Sequence, residues 1–201
     1  MSTFMQMPNE ALAVGFAYHV LRCARESKVP KHTLALLDAT RANLGDKTAL
    51  FEALGRFRVL CAEREGLRGV AEVNNFVSRY FREALEHPLD PCSRSEWYPG
   101  RPVMVLRNDY VLKLFNGDVG IVLPDASDTL MVVFPESDGS FRAVAPLRLP
   151  EHETAFAATV HKAQGSEFDR VLLLPAKPNR VVTRELLYTA VTRWCDDCRW
   201  S

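Results

Sequence analysis

The sequence predicts an α/β domain interrupted by a small antiparallel β insert, and three observations carry that reading. A short β-prone run at residues 56–62 precedes a stretch with helical spacing, which is the strand-then-helix unit of an α/β sheet. Four further β-prone runs, separated by turn formers, then fill residues 103–144 with no helix-period stretch between them. Beyond them a strongly apolar run at 169–175 reads as a buried strand, and a helical texture returns.

The elements follow in order. Asn9 can cap a first helix carrying Leu12, Phe16 and Val20 at four-residue spacing. Thr33 can start a second, with Leu34, Leu37 and Leu44 turned inward. Asp46 can cap a third, carrying Leu50, Phe51 and Leu54, and Gly55 sits where that helix would stop. After the run at 56–62, Val73, Phe76, Val77, Tyr80, Phe81 and Ala84 recur at spacings of three and four, which predicts an amphipathic helix. The insert's runs are 103–106, 119–123, 130–134 and 141–144, with Asn116-Gly117, Pro124-Asp125 and Asp138-Gly139 between them. Thr183 can cap a last helix reaching about Trp194, with Leu187, Val191 and Trp194 on one face and Thr189 and Arg193 on another.

Composition sets the outer limits. The chain has 201 residues, 47% of them hydrophobic, which is enough for a real core and argues against a disordered chain. Lys+Arg and Asp+Glu number 25 each, so a polybasic tail is excluded, whereas a local basic patch is not. No apolar run approaches the roughly 18 residues of a membrane span, and the first ten residues lack the pattern of a secretory signal. Five cysteines, at 23, 61, 92, 195 and 198, form no disulfide framework and indicate a reducing, cytoplasmic setting.

The stretch richest in chemistry is TVHKAQGSE at 159–167, followed by a strand and then YTAVTR at 188–193. The first part offers hydroxyl, imidazole, ammonium and amide groups, with Gly165 allowing close backbone approach. Such a loop can meet sugar–phosphate with its side chains and a nucleotide with its far end. The second part places an arginine on a helix, where a guanidinium can reach a phosphoryl group delivered from outside the domain.

These two stretches resemble the fifth and sixth motifs of superfamily 1 DNA helicases of the RecD-like branch, in order and in separation. LPEHETAF at 149–156 is also typical of that group. Residues 56–66 resemble the strand near the fourth motif. WYPGRPVM at 97–104, RND at 107–109 and FNGDVG at 115–120 resemble the entry into an inserted SH3-like subdomain. The resemblance covers about residues 46–193 closely.

The resemblance implies a fold and a set of roles. The fold is a RecA-like parallel-sheet domain, the second motor domain of a helicase, carrying an inserted SH3-like β-barrel. Residues 1–96 would be the helical lead-in and first part of that domain, 97–148 the insert, and 149–201 the second part. Thr159, His161 and Gln164 would face single-stranded DNA, joined by Asn116 of the insert. Gly165 and Glu167 would lie toward the nucleotide, and Arg64 would be a fourth-motif phosphate contact. Arg193 would be the catalytic arginine finger. The parent activity implied is ATP-driven, 5′-to-3′ unwinding of DNA in double-strand-break repair and recombination. ATP and Mg²⁺ would be its cofactors. Its partners would be single-stranded DNA, an N-terminal motor domain and other exodeoxyribonuclease V subunits.

Two departures qualify this. No G-x-x-x-x-G-K-[ST] phosphate cradle is present, nor an acidic strand-end pair for Mg²⁺. The chain is therefore expected to be a fragment that neither binds nor hydrolyses ATP alone. The tail WCDDCRWS at 194–201 matches no pattern of the family and reads as truncation or a shifted frame.

Other readings stay open for single residues. Lys162 can be a solvated side chain. Tyr188 can be core packing, and Trp97 and Tyr98 can cap a domain junction or stack on bases. Asn116-Gly117-Asp118 is a turn by its chemistry alone. Cys195 and Cys198 form a lone C-x-x-C without two further zinc ligands, so no metal is expected. Cys23, Cys61 and Cys92 are most simply buried apolar residues. A non-enzymatic remnant, a docking or DNA-binding module, and a stand-alone RecD-like helicase are the rival functions.

Overall fold

The computed structural model describes residues 35–66, 69–85, 96–163 and 168–174. Two helices come first, α1 (Ala35–Ala42) and α2 (Lys47–Gly55). As expected, Asp46 caps α2: its Oδ1 accepts from the Ala49 amide at 3.0 Å, satisfying one of the orphan donors of the first turn. Strand β1 (Phe57–Cys61) follows, then α3 (Val70–Ala84).

The antiparallel strands are β2 (Pro102–Val105), β3 (Val119–Pro124), β4 (Leu130–Pro135) and β5 (Phe141–Val144). Short strands β6 (His152–Thr154) and β7 (Ala157–Thr159) and finally β8 (Arg170–Leu174) complete the described chain. The expected helices at Asn9 and Thr183 lie outside the described residues.

Two sheets result. The first is parallel, in the order β7-β1-β8, with Val59 opposite both Ala157 and Leu172. The second is antiparallel, in the order β5-β4-β3-β2-β6. Its fifth strand, β6, comes from beyond residue 148, pairing Val103 with Thr154 and Val105 with His152. The chain therefore leaves the parallel sheet after α3, builds four strands, and contributes one more on its way back. β5 and β6 stand at the two edges of this sheet.

Burial explains why the insert's strands are continuously apolar. Side chains alternate across a strand, and here both faces of the sheet are covered. Ile121, Leu123 and Val133 point to one side, where they share a core with Leu36 and Leu37 of α1, Leu50 and Leu54 of α2, and Phe81 of α3. Val122, Val132 and Phe134 point to the other side, where they pack with Val103, Val105, Leu114 and Val144. Gly120 is forced by this second core: a Cβ there would stand 2.8 Å from atoms of Val132 and Phe134.

The parallel sheet carries its own core. Val59 and Cys61 pack with Val70 and Val73 of α3 on one face. Leu60, Val160, Ala163 and Phe168 pack on the other. Arg58 is buried in β1. It donates to the Ala155 carbonyl, lies 4.9 Å from the centre of the Phe168 ring, and burial pulls its guanidinium down to about 10. β8 is less enclosed than its apolar sequence predicts. Among the described residues it pairs only with β1, and Val171, Leu172 and Leu173 are half-buried.

Candidate nucleic-acid and nucleotide interface

The carboxyl ends of β1 and β7 lie side by side, with Cys61 opposite Thr159. Every described candidate of the parallel sheet projects from this end. The loop after β1 folds back tightly onto the start of α3. The Val70 amide donates to the Glu63 carbonyl and the Ala71 amide to the Arg64 carbonyl, both at 3.2 Å. Gly69 makes this approach possible, because a Cβ there would sit 2.5 Å from the Glu65 carbonyl carbon. Arg64 is thus held by its backbone at the mouth of the sheet.

Its side chain is 61% exposed and reaches Glu153 of β6, Nη2 to Oε2, at 3.2 Å. The other carboxylate oxygen of Glu153 accepts from Lys162 Nζ at 2.8 Å. One carboxylate from the antiparallel sheet therefore bridges two cations carried by different loops of the parallel sheet. Lys162 is an ion-pair partner here rather than a freely solvated side chain.

Thr159 ends β7 and opens a turn. Its carbonyl accepts from the Lys162 and Ala163 amides at 3.0 and 3.2 Å, and its hydroxyl accepts from the Lys162 amide at 3.4 Å. Val160 and Ala163 point into the core while His161 is exposed. The turn thus presents an imidazole outward on a rigid base, which suits contact with a strand running past the sheet.

Asn116 lies elsewhere, in the connection between β2 and β3. Its amide donates to Asn108 Oδ1 at 2.8 Å and its side chain is exposed. No hydrogen bond or ion pair among the described residues joins it to Arg64, Thr159 or His161. Gln164, Gly165, Glu167 and Arg193 lie outside the described residues, as do Tyr188 and the Cys195/Cys198 pair. Among the described residues, no three His, Cys, Asp or Glu side chains converge as a metal site. No helix there is long and apolar enough to cross a membrane.

Sequence reasoning missed two residues. Glu153 gave no signal, since a lone carboxylate in a polar stretch has no periodicity to betray its partners. Asn74 did give one: it falls on the apolar stripe of α3, between Val73 and Val77. There it clamps the two sheets together. Its Nδ2 donates to the Thr154 and Ala157 carbonyls at 2.6 and 3.2 Å, and its Oδ1 accepts from the Ala157 amide at 2.8 Å.

Comparison with known proteins gives the chain a family. Residues 154–193, which span both motif stretches, match the family of UvrD-like helicase C-terminal domains. The RecBCD enzyme subunit RecD of Mycolicibacterium smegmatis is 43% identical over 170 residues, 84% of this chain. The chain belongs to the RecD-like helicases. A second relative is the ATP-dependent RecD2 DNA helicase of Deinococcus radiodurans, 35% identical over 143 residues, 69% of the chain. The RecD-like chain spans only 28% and 19% of the lengths of these two relatives. Among solved structures, Bacteroides Pif1 helicase in complex with ADP-AlF3 and ssDNA aligns with 89% of the chain and 46% of its own, at a TM-score of 0.44 and 19% identity.

Proposed function

We propose that this chain acts as the second, RecA-like motor domain of an ATP-dependent 5′-to-3′ DNA helicase of the exodeoxyribonuclease V alpha (RecD) type. In this reading the antiparallel sheet is an inserted SH3-like subdomain. The observation that carries the proposal is the helicase match over residues 154–193, which takes in the Thr159–His161 turn at the open end of the parallel sheet. Thr159, His161 and Gln164, with Asn116, would contact single-stranded DNA. Arg64, Gly165 and Glu167 would face the nucleotide, and Arg193 would reach its terminal phosphate.

The chain's own residues fit a phosphate at this position. Arg64 is a mostly exposed guanidinium on a fixed backbone, and its present carboxylate partner is the kind of ligand a phosphate oxygen replaces. ATP supplies the phosphoryl transfer whose free energy drives movement. Arg64 binds and orients, and the Thr159–Ala163 turn holds the strand-facing groups in place. Mg²⁺, an N-terminal motor domain, other exodeoxyribonuclease V subunits, a cytoplasmic location and a role in double-strand-break repair and recombination belong to the same proposal.

The 201-residue chain has no Walker A sequence, so DNA-stimulated ATP hydrolysis by the isolated chain is expected to be absent. Sustained turnover by the pure chain would contradict this. The decisive variant is Arg193→Ala in a RecD-type protein carrying this segment. Removal of an arginine finger costs about 10³ to 10⁵ in rate, so ATPase should fall by roughly that factor while DNA binding stays near normal. Arg193→Lys should rescue little, because an ammonium lacks the planar fork. Near-wild-type turnover in Arg193→Ala would remove the finger assignment.

A further inference from the structure

Glu153 lies on β6, beside the open end of the parallel sheet, and its strand decides where it points. Neighbouring side chains on a strand alternate in direction. The His152 ring packs 5.3 Å from the Trp97 ring, and Thr154 Oγ1 accepts from Arg101. Glu153, between them, turns the other way and meets Arg64 and Lys162.

The backbone is fixed at all three positions. On one side of Glu153 the Asn74 Nδ2 donates to the Thr154 carbonyl at 2.6 Å, and on the other the Leu106 amide donates to the Glu151 carbonyl at 2.7 Å. The Arg64 carbonyl accepts from the Ala71 amide, and the Lys162 amide donates to the Thr159 carbonyl. Only the side-chain heads are left to move, so a change of partner needs no loop to refold. The heads are also within reach of solvent, since the Arg64 side chain is 61% exposed and that of Lys162 is 25% exposed. Ion pairs with this much exposure exchange readily, each being worth at most about fivefold in an equilibrium.

A carboxylate shared by two cations links their fates. A phosphate oxygen is the same kind of acceptor, and guanidinium and ammonium groups bind it through the same charge-assisted hydrogen bonds. A phosphate that takes Arg64 leaves Glu153 to Lys162 alone. A phosphate that then takes Lys162 leaves Glu153, whose side chain is 19% exposed, without either cation. The second replacement therefore costs more than the first, and the penalty is the same whichever cation goes first.

We propose that Glu153 is a positioning residue that restrains Lys162 and sets the phosphate contacts of Arg64 and Lys162 against each other. Its carboxylate stands in for a phosphate until one displaces it, and an occupied Arg64 draws Lys162 back from a DNA strand on the Thr159 turn. This rests on the reading of that turn as DNA-facing and of Arg64 as a phosphate contact.

The test uses the full chain and a labelled single-stranded oligodeoxynucleotide, with binding read by anisotropy at several salt concentrations. Glu153→Gln keeps the shape of the side chain and removes its charge. It is expected to raise affinity by about threefold to fivefold and to steepen the salt dependence by about 0.7 in slope, the effect of one released cation. The gain should be absent when Lys162→Gln is compared with Lys162→Gln/Glu153→Gln. Arg64→Gln gives the carboxylate wholly to Lys162, so it should lower affinity in the wild-type chain and have no effect once Glu153 is Gln.

A loss from Arg64→Gln that is equal in both backgrounds means that Arg64 acts on the DNA directly, and it overturns the link. Glu151→Gln removes an exposed carboxylate two residues away, and an equal gain there would reduce the effect to overall charge. A lower thermal midpoint in Glu153→Gln with unchanged DNA binding would make the bridge structural only. No binding by any form overturns the restraint as well. His161→Ala is the independent arm. DNA binding that falls in His161→Ala and is unmoved in Glu153→Gln overturns the restraint and leaves the proposed function standing. The opposite pattern supports the restraint and removes the DNA-side role of His161.

Discussion

Asn74 is the residue whose loss should be felt most widely. Its side chain satisfies the Ala157 amide and donates to the Thr154 and Ala157 carbonyls inside the protein. Alanine would leave those backbone groups without these partners, at about 1–3 kcal/mol for each unsatisfied group. Asn74→Ala is therefore expected to lower the urea-unfolding free energy by on the order of 3 kcal/mol. A change under half of that would mean water replaces the amide. Two other side chains set the response to alkali. Burial pushes the Cys61 thiol from 9.0 up to about 12 and the Tyr98 phenol from 10.0 up to about 12. The folded state holds these protons more tightly than the unfolded one. Their contribution is complete below about pH 9 and fades as pH rises toward 12. Urea midpoints at pH 8 and pH 10.5 should show the loss, and Cys61→Val should remove part of it. An unchanged midpoint would mean that both groups titrate normally in the folded chain.

At the scale of elements, local signals were reliable where they were long. Asp46 was readable as a cap because its carboxylate acts within three residues of itself. Asp46→Ala should therefore cost about 1 kcal/mol, measured by the same unfolding experiment, with the loss confined to α2 in amide exchange. The stripe of α3 and the apolar runs of β2 to β5 were legible for the same reason: each repeats its period several times. β6 and β7 were not, since three residues cannot establish a period, and β7 reads Ala157-Ala158-Thr159 with little β preference. The central place of β1 was also hidden, because its partners begin 96 or more residues later, near Ala157 and Arg170. The candidate site divides in the same way. Thr159 and His161 stood out from their own short motif, whereas the Glu153 bridge to Arg64 and Lys162 depends on a crossing that no local pattern encodes.

At the scale of the whole molecule, the antiparallel sheet has one face in a core shared with α1, α2 and α3. In sequence it is an insertion, and an insertion invites the idea of a module added late and removable without harm. The shared core denies that. Replacing residues 97–148 with a short flexible linker would expose Leu36, Leu50, Leu54 and Phe81 at once, each now at most 7% exposed. Losing the cover of four large apolar side chains at about 1.5–3 kcal/mol each comes to about 6–12 kcal/mol, which is of the same size as the roughly 5–15 kcal/mol that keeps a typical domain folded. The excised chain is expected to aggregate or to bind a hydrophobic dye without a cooperative unfolding transition. A soluble, cooperatively folded deletion would show that the helices can close over themselves. Evolution faces the same constraint: this sheet can be altered at its outer loops, yet its inner face must change in step with the helices beneath it, so the two halves are heritable only as one piece.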